Sequence, residues 1–151
     1  MHHRSAGRGD NHRLRLMKRS SALFLAGGAL YYLFETAWRG YSHWTMFALG
    51  GLCFVLVGGL NNYLPWEMSL LKQMLLGGLI ITLGELLTGI VVNLWLGWHV
   101  WDYSALLGNL WGQICPQYSF LWVVLSGPII ILDDILRWKW YGDKMPSYRL
   151  I

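Results

Sequence analysis

Residues 70–96 read LLKQMLLGGLIITLGELLTGIVVNLWL, and this stretch decides the fold. It holds one base, Lys72, near its start and one acid, Glu85, near its middle. About 20 apolar residues let a helix cross a hydrocarbon core of roughly 30 Å. Backbone groups in lipid must bond within their own segment, so such a crossing is helical. Three more runs share this character: Ser21 to Trp38, Trp44 to Leu60 and Tyr118 to Leu136, the second of them short. The sequence therefore predicts an all-α membrane protein of four transmembrane helices. Residues 21–151 form its single domain, behind a solvated basic tail over residues 1–20.

Composition points the same way. The chain is 55% hydrophobic and only 13% charged, whereas soluble domains run near a quarter charged. Its 18 glycines and 10 tryptophans suit membrane helices and membrane interfaces. A pI near 9.2 raises the question of nucleic acid. The basic residues, however, gather at the two chain ends and form no face for phosphates, so no nucleic-acid partner is expected. Cys53 and Cys115 have no metal-ligand spacing, and a cysteine inside an apolar run is a small packing residue.

Orientation follows from Lys and Arg outside the spans. With the N-terminus inside, the cytoplasmic segments hold Arg4, Arg8, Arg13, Arg15, Lys18, Arg19, Lys72, Arg137, Lys139, Lys144 and Arg149, and the outer ones only Arg39. Both termini are then cytoplasmic. Trp38, Tyr41, Trp44, Trp98 and Trp101 mark the outer interface, and Tyr63, Trp66, Trp138 and Trp140 the inner one. The segment from Gly97 to Gln117 is too polar for a fifth span and reads as an outer re-entrant or interfacial loop between spans three and four.

Ionisable groups inside spans are costly and default to a functional hypothesis. Glu35 and Glu85 each lie about 15 residues into a span that starts on the cytoplasmic side, so both sit roughly 22 Å from it. Glu35 and Arg39 form an i, i+4 pair in the favourable order. Gly28, Tyr32, Glu35 and Arg39 fall on one stripe of span one, and Gly78, Thr82, Glu85, Gly89 and Asn93 on one face of span three. With the loop, they make a candidate ligand-binding cluster of Glu35, Arg39, Glu85, Asn93, Trp101, Asp102, Tyr103, Asn109 and Gln113. The competing account is that these groups only bind helices together and hold the loop. For Asp133, Asp134 and Arg137, at the inner end of span four, structural or docking roles are the stronger expectation.

No Walker loop, HExxH, CxxC or legible Ser-His-Asp set occurs in the chain. His43 and His99 alone are a weak metal signal, so no metal and no cofactor is expected.

The run Glu85-Leu-Leu-Thr88-Gly89, then Asn93, Trp101-Asp102-Tyr103-Ser104, Asn109 and Gly112-Gln113-Ile-Cys115 resembles the family described as putative ABC-transporter type IV, the CmpB-like bacterial membrane proteins. Glu35, Trp38 to Trp44 and Gly50-Gly51 add to the likeness, which covers about residues 25 to 148. The resemblance implies a small multi-span protein of the bacterial cytoplasmic membrane. It assigns no catalytic or ligand residue. The expected function is a permease-like transport component, with membrane lipids around it and a homo-oligomer or separate transport subunits as partners. A non-catalytic accessory or scaffold protein ranks second. A membrane-embedded enzyme acting on a lipid-linked substrate ranks third, with Glu85 or Asp102 as general base.

Overall fold

The computed structural model describes residues 6–65 and 67–151, with side chains from residue 11 onward. Among the described residues five α-helices carry the fold: α1 (Ala6–Arg39), α2 (Trp44–Gly58), α3 (Leu60–Tyr63), α4 (Leu70–Gly89) and α5 (Pro116–Tyr141). A π-helical segment, Ile90–Trp95, continues α4. Extended pairing among the described residues is limited to one bridge, Leu110 with Ile114. The chain is all-α.

Helix ends follow local chemistry. Ser69 Oγ accepts from the Lys72 amide and starts α4. Pro116 opens α5 at a position where no amide hydrogen is required. That helix stops at Gly142, whose φ of 68° is left-handed. Arg39 ends α1 before Gly40 turns the chain at φ 82°.

Spans two and three read from sequence end close to α2 and to α4 with its π-helical continuation, while α5 runs past the expected Leu136 to Tyr141. One difference is large: α1 does not begin at Ser21. Residues 11–20, expected as a solvated tail, are mostly exposed and are helical and continuous with the apolar segment. Leu14, Leu16 and Met17 interrupt the basic residues there, and no glycine or proline breaks the run.

The helices are apolar on the outside. Leu71, Leu75, Leu79, Leu83 and Leu87 recur every fourth residue along α4, and all are exposed. Leu25, Leu30, Leu33 and Phe34 of α1, Leu52 and Leu56 of α2, and Phe120, Leu121, Val124 and Leu132 of α5 are exposed too. In water a surface helix turns its polar face outward. Here Glu35, Gln73, Glu85, Asn93, Ser126, Asp133 and Asp134 are buried instead. The segments Leu70–Trp95 and Pro116–Tyr141, 26 residues each, are long and apolar enough to cross a membrane.

Packing runs through small residues. α1 lies along α2, with Phe24 over Gly51 and Phe47 over Gly28. α4 lies along α5, where Gly78 meets Val123 and Gly77 meets Ser126. α2 packs on both α4 and α5 and joins the two pairs. Close approach through glycine is how membrane helices associate, since lipid tails offer no hydrophobic drive between them.

Trp38 (80% exposed), Tyr41, Trp44 and Trp98 all face outward. Trp101 does not: it is 6% exposed, covered by the loop, with Nε1 donating to the Gln113 carbonyl at 3.0 Å. Its place is therefore inside the protein rather than at an interface. Tyr63, Trp138 and Trp140 are exposed, and Trp66 lies outside the described residues.

Candidate functional site

Glu85 stands in the middle of an apolar helix and is 2% exposed. Its Oε2 accepts from Trp122 Nε1 of α5 at 2.7 Å, and its Oε1 accepts from the Tyr103 hydroxyl of the loop at 3.1 Å. Neither donor carries charge. Tyr103 stacks on Tyr118, ring centroids 4.6 Å apart, and Tyr31 of α1 lies against Trp122 at 6.1 Å. The carboxylate thus sits in an aromatic box built by α1, α4, α5 and the loop.

Glu35, 8% exposed, lies beside this box. Its Oε1 accepts from Arg39 at 2.7 Å and from Ser42 Oγ at 3.1 Å. Tyr31, one turn earlier on α1, is within electrostatic reach of both Glu35 and Glu85 and connects the two acids. The stripe expected on span one named Tyr32, but Tyr32 is exposed. Tyr31 takes its place.

Asn93 and Gln113 form the third part. Asn93 Nδ2 donates to Gln113 Oε1 at 2.9 Å, while Asn93 Oδ1 accepts the Val100 amide at 2.7 Å. Gln113 also packs on Gly89 and donates to the Trp111 carbonyl at 2.8 Å. The π-helical segment widens the helix by one residue per turn just where Asn93 projects, and such segments recur at functional sites. Thr82 Oγ1 donates to Ser119 Oγ at 3.0 Å. The polar face of span three is therefore matched, residue by residue, by α5 and the loop.

Two of the expected site residues lie apart from this centre. Asp102 is exposed, and its Oδ1 accepts the Ser104 amide at 2.8 Å. That backbone bond holds its carboxyl below the usual carboxylate range. Asn109 ties the loop internally, donating to the carbonyls of Ser104 and Leu106 and accepting the Gly112 amide. Both residues shape the loop, which also holds His99 and Trp111 at positive φ. For residues other than glycine that conformation costs about 1–2 kcal/mol each, so the loop's hydrogen bonds must outweigh it.

Trp122, Tyr31 and Ser42 were missed in the sequence. Trp122 had a legible signal: an indole N–H inside an apolar helix needs an acceptor when buried. It also shares an i, i+4 register with Tyr118 and Ser126, on the face that meets span three.

A helix bundle with apolar exteriors and a carboxylate enclosed among aromatic and amide groups is the build of a membrane protein with a polar interior. Comparison with known families agrees, for the chain belongs to the family described as "Putative ABC-transporter type IV", whose model matches residues 22–138. No curated protein and no solved structure matches the chain. It is a membrane-associated protein of that family.

Proposed function

We propose that this protein is a permease-like subunit of a transport system, crossing the membrane four times, with Glu85 at the centre of an intramembrane polar site. α1, α2 with α3, α4 and α5 make the four crossings, and the segment from Gly97 to Gln117 closes the site at one face. The carrying observation is Glu85 itself. It lies 2% exposed in a 26-residue apolar helix, and among the described residues no cation pairs with it. A packing role alone does not need an acid there, because a neutral amide makes the same two contacts. An acid adds the ability to take up and release a proton or to meet a cationic solute. Glu35 with Arg39 and Ser42, and Asn93 with Gln113, line the approach, while Asp102, Trp101 and Asn109 hold the loop in place. Residues 1–151 hold no Walker motif, so this stretch of chain does not itself supply ATP hydrolysis.

The test is Glu85→Gln, scored for fold by detergent melting and for function by complementation of a deletion strain. A stable protein that fails to complement is expected. A stable protein that complements fully removes Glu85 from the mechanism.

That second outcome favours the accessory or scaffold reading, which has its own observation. The cluster's hydrogen bonds close largely upon each other, and two shallow surface hollows lie elsewhere. One, of about 390 Å³, is an apolar groove between Ser21, Phe24, Leu25, Leu52 and Val55. The other is at the opposite end of the bundle, beside Asp134.

A further inference from the structure

α1 is longer than a membrane is thick. Its 34 residues rise about 51 Å at roughly 1.5 Å each, against roughly 30 Å of hydrocarbon. Counted about 20 residues back from Trp38, the other boundary of the hydrocarbon falls at Lys18. The helix around Lys18 keeps an apolar face. At about 100° per residue, Leu14, Met17, Ser21, Phe24 and Leu25 share one arc of about 100°. Lys18 lies about 20° outside one edge of that arc and Arg13 about 20° outside the other. Leu14, Met17 and Leu25 are exposed, as are Arg13, Lys18 and Ser21.

Where this arc meets α2 the surface is hollowed. Ser20, Ser21, Phe24 and Leu25 of α1, with Leu52 and Val55 of α2, line a shallow and mainly apolar depression of about 390 Å³. Phe24 lies against Gly51, so the depression follows the line where the two helices meet. Its serines are at the end nearer Lys18, and its apolar residues run inward from them. The charge that α1 brings to this mouth is basic. The nearest acid along the helix is Asp10, about 12 Å further out than Lys18. Asp143 is taken by Arg19, about 170° round the helix from the centre of the arc. α2 and α3 carry no Asp, Glu, Lys or Arg. Glu67 stands on the connection into α4, which packs on α2 and α5.

We propose that this face of α1 and α2 binds one anionic phospholipid of the leaflet at the basic end. An acyl chain fills the hollow, and the phosphate meets Lys18 and Ser21. Those two residues stand i, i+3 on one side of the helix, at the depth where headgroups begin. An ammonium group and a hydroxyl there supply a charge-assisted and a neutral hydrogen bond to phosphate oxygens. Basic residues beside a membrane span favour anionic over neutral lipid. A zwitterionic headgroup would set its own cation against Arg13 and Lys18.

The test is melting of the purified full chain in detergent, titrated with phosphatidylglycerol, with phosphatidylcholine of identical chains, or with glycerol phosphate. Phosphatidylglycerol should raise Tm saturably, because binding to the folded state alone stabilises it. It should act at about a fifth of the phosphatidylcholine concentration or less, the gain one lysine brings near an anionic headgroup. Glycerol phosphate, which has no chain, should leave Tm unchanged. Lys18→Gln should remove the preference for the anionic lipid. Lys139→Gln, the same charge change at an exposed position of α5, should keep it. Leu52→Trp fills the hollow from an exposed position and should abolish the increment. Should it fail to accumulate, Leu25→Trp fills the same hollow and is read in the same way. Equal action of the two lipids overturns the proposal, and so does an increment kept when the hollow is filled. A preference lost equally in Lys18→Gln and Lys139→Gln overturns it too, since that is the mark of a diffuse lipid annulus. An effect of glycerol phosphate as large as that of the lipid replaces the lipid site by a plain phosphate site. The proposal rests on α1 crossing the membrane, which is part of the four-span reading above. In intact cells an impermeant thiol reagent should label Tyr41→Cys and spare Asn11→Cys, both exposed positions near opposite ends of α1. Equal melting with that pattern intact sinks the lipid site alone, whereas labelling of both from outside removes the crossing and the lipid site with it.

Discussion

Glu35 and Glu85 are both buried acids, yet their neighbours assign them different costs on neutralisation. Glu35 Oε1 faces Arg39 Nη2 at 2.7 Å, and the Nε of that arginine is buried with no hydrogen-bond partner among the described residues. Glu35→Gln leaves the guanidinium uncompensated. Breaking a fully buried pair costs about 3–5 kcal/mol. The Arg39 side chain is 28% exposed, so a smaller loss of about 2 kcal/mol is expected after solvent screening. Melting of Glu35→Gln should fall by several degrees. Glu85→Gln should melt close to the parent, because the amide oxygen can accept from Trp122 while the amide nitrogen donates to the Tyr103 hydroxyl, which rotates to accept. Equal destabilisation of the two variants would mean that Glu85 is charged and paired in a way the geometry does not supply. Trp122→Phe should cost about 1–3 kcal/mol of stability, read as a lower Tm, since it strips a donor from a buried carboxylate.

At the scale of elements, α4 separates its two functions by face. Gly78 presses on the Val123 backbone and Gly89 on Gln113, whereas Leu87 on the other face is exposed. Gly78→Leu should therefore cost about 1–3 kcal/mol or more through overpacking, and Leu87→Ala less than about 0.5 kcal/mol. Detergent melting of the two variants checks this, and equal effects would show the packing face misassigned. That face was legible in the sequence, because glycine, threonine, glutamate and asparagine recur at helical spacing inside an otherwise apolar run. The start of α4 at Leu70 was legible from apolar length, whereas α5 begins at Pro116 and ends at Tyr141, outside the Tyr118 to Leu136 that apolar length marked. Less was visible where two placements differ by little. Seen from Glu35 at 100° per residue, Tyr31 lies about 40° away and Tyr32 about 60° on the other side. Only the packing of α1 on α2, where Tyr31 lies over Gly50, decides between them. The π-helical segment at Asn93 and the burial of Trp101 depend on the loop folding back, a tertiary contact with no local signature. Asp102 and Asn109 were grouped with the site because they sit on the right loop. Their side chains bond to nearby backbone instead, which these residue types do readily.

At the scale of the molecule, basic residues from three segments converge on one end. Arg19 of α1 pairs with Asp143 just past α5 and covers the Tyr141 ring at 4.5 Å, while the Arg149 carbonyl caps α4 two residues before Lys72. Arg39 stands at the far end, beside Tyr41 and the acidic pair. By the positive-inside rule, the orientation proposed for the bundle puts this basic end in the cytoplasm. Cysteine labelling reads the orientation directly, with little background, because the native Cys53 and Cys115 are both buried. Leu107, at the loop tip, and Met145, in the C-terminal segment, are both exposed. In intact cells a membrane-impermeant thiol reagent should label Leu107→Cys and spare Met145→Cys, and permeabilised cells should label both. The reverse pattern would invert the protein and place the Glu85 site near the cytoplasm. Labelling of both from outside is incompatible with α5 crossing the membrane, since α5 is the element that separates the two positions, and the four-span reading would fall with it.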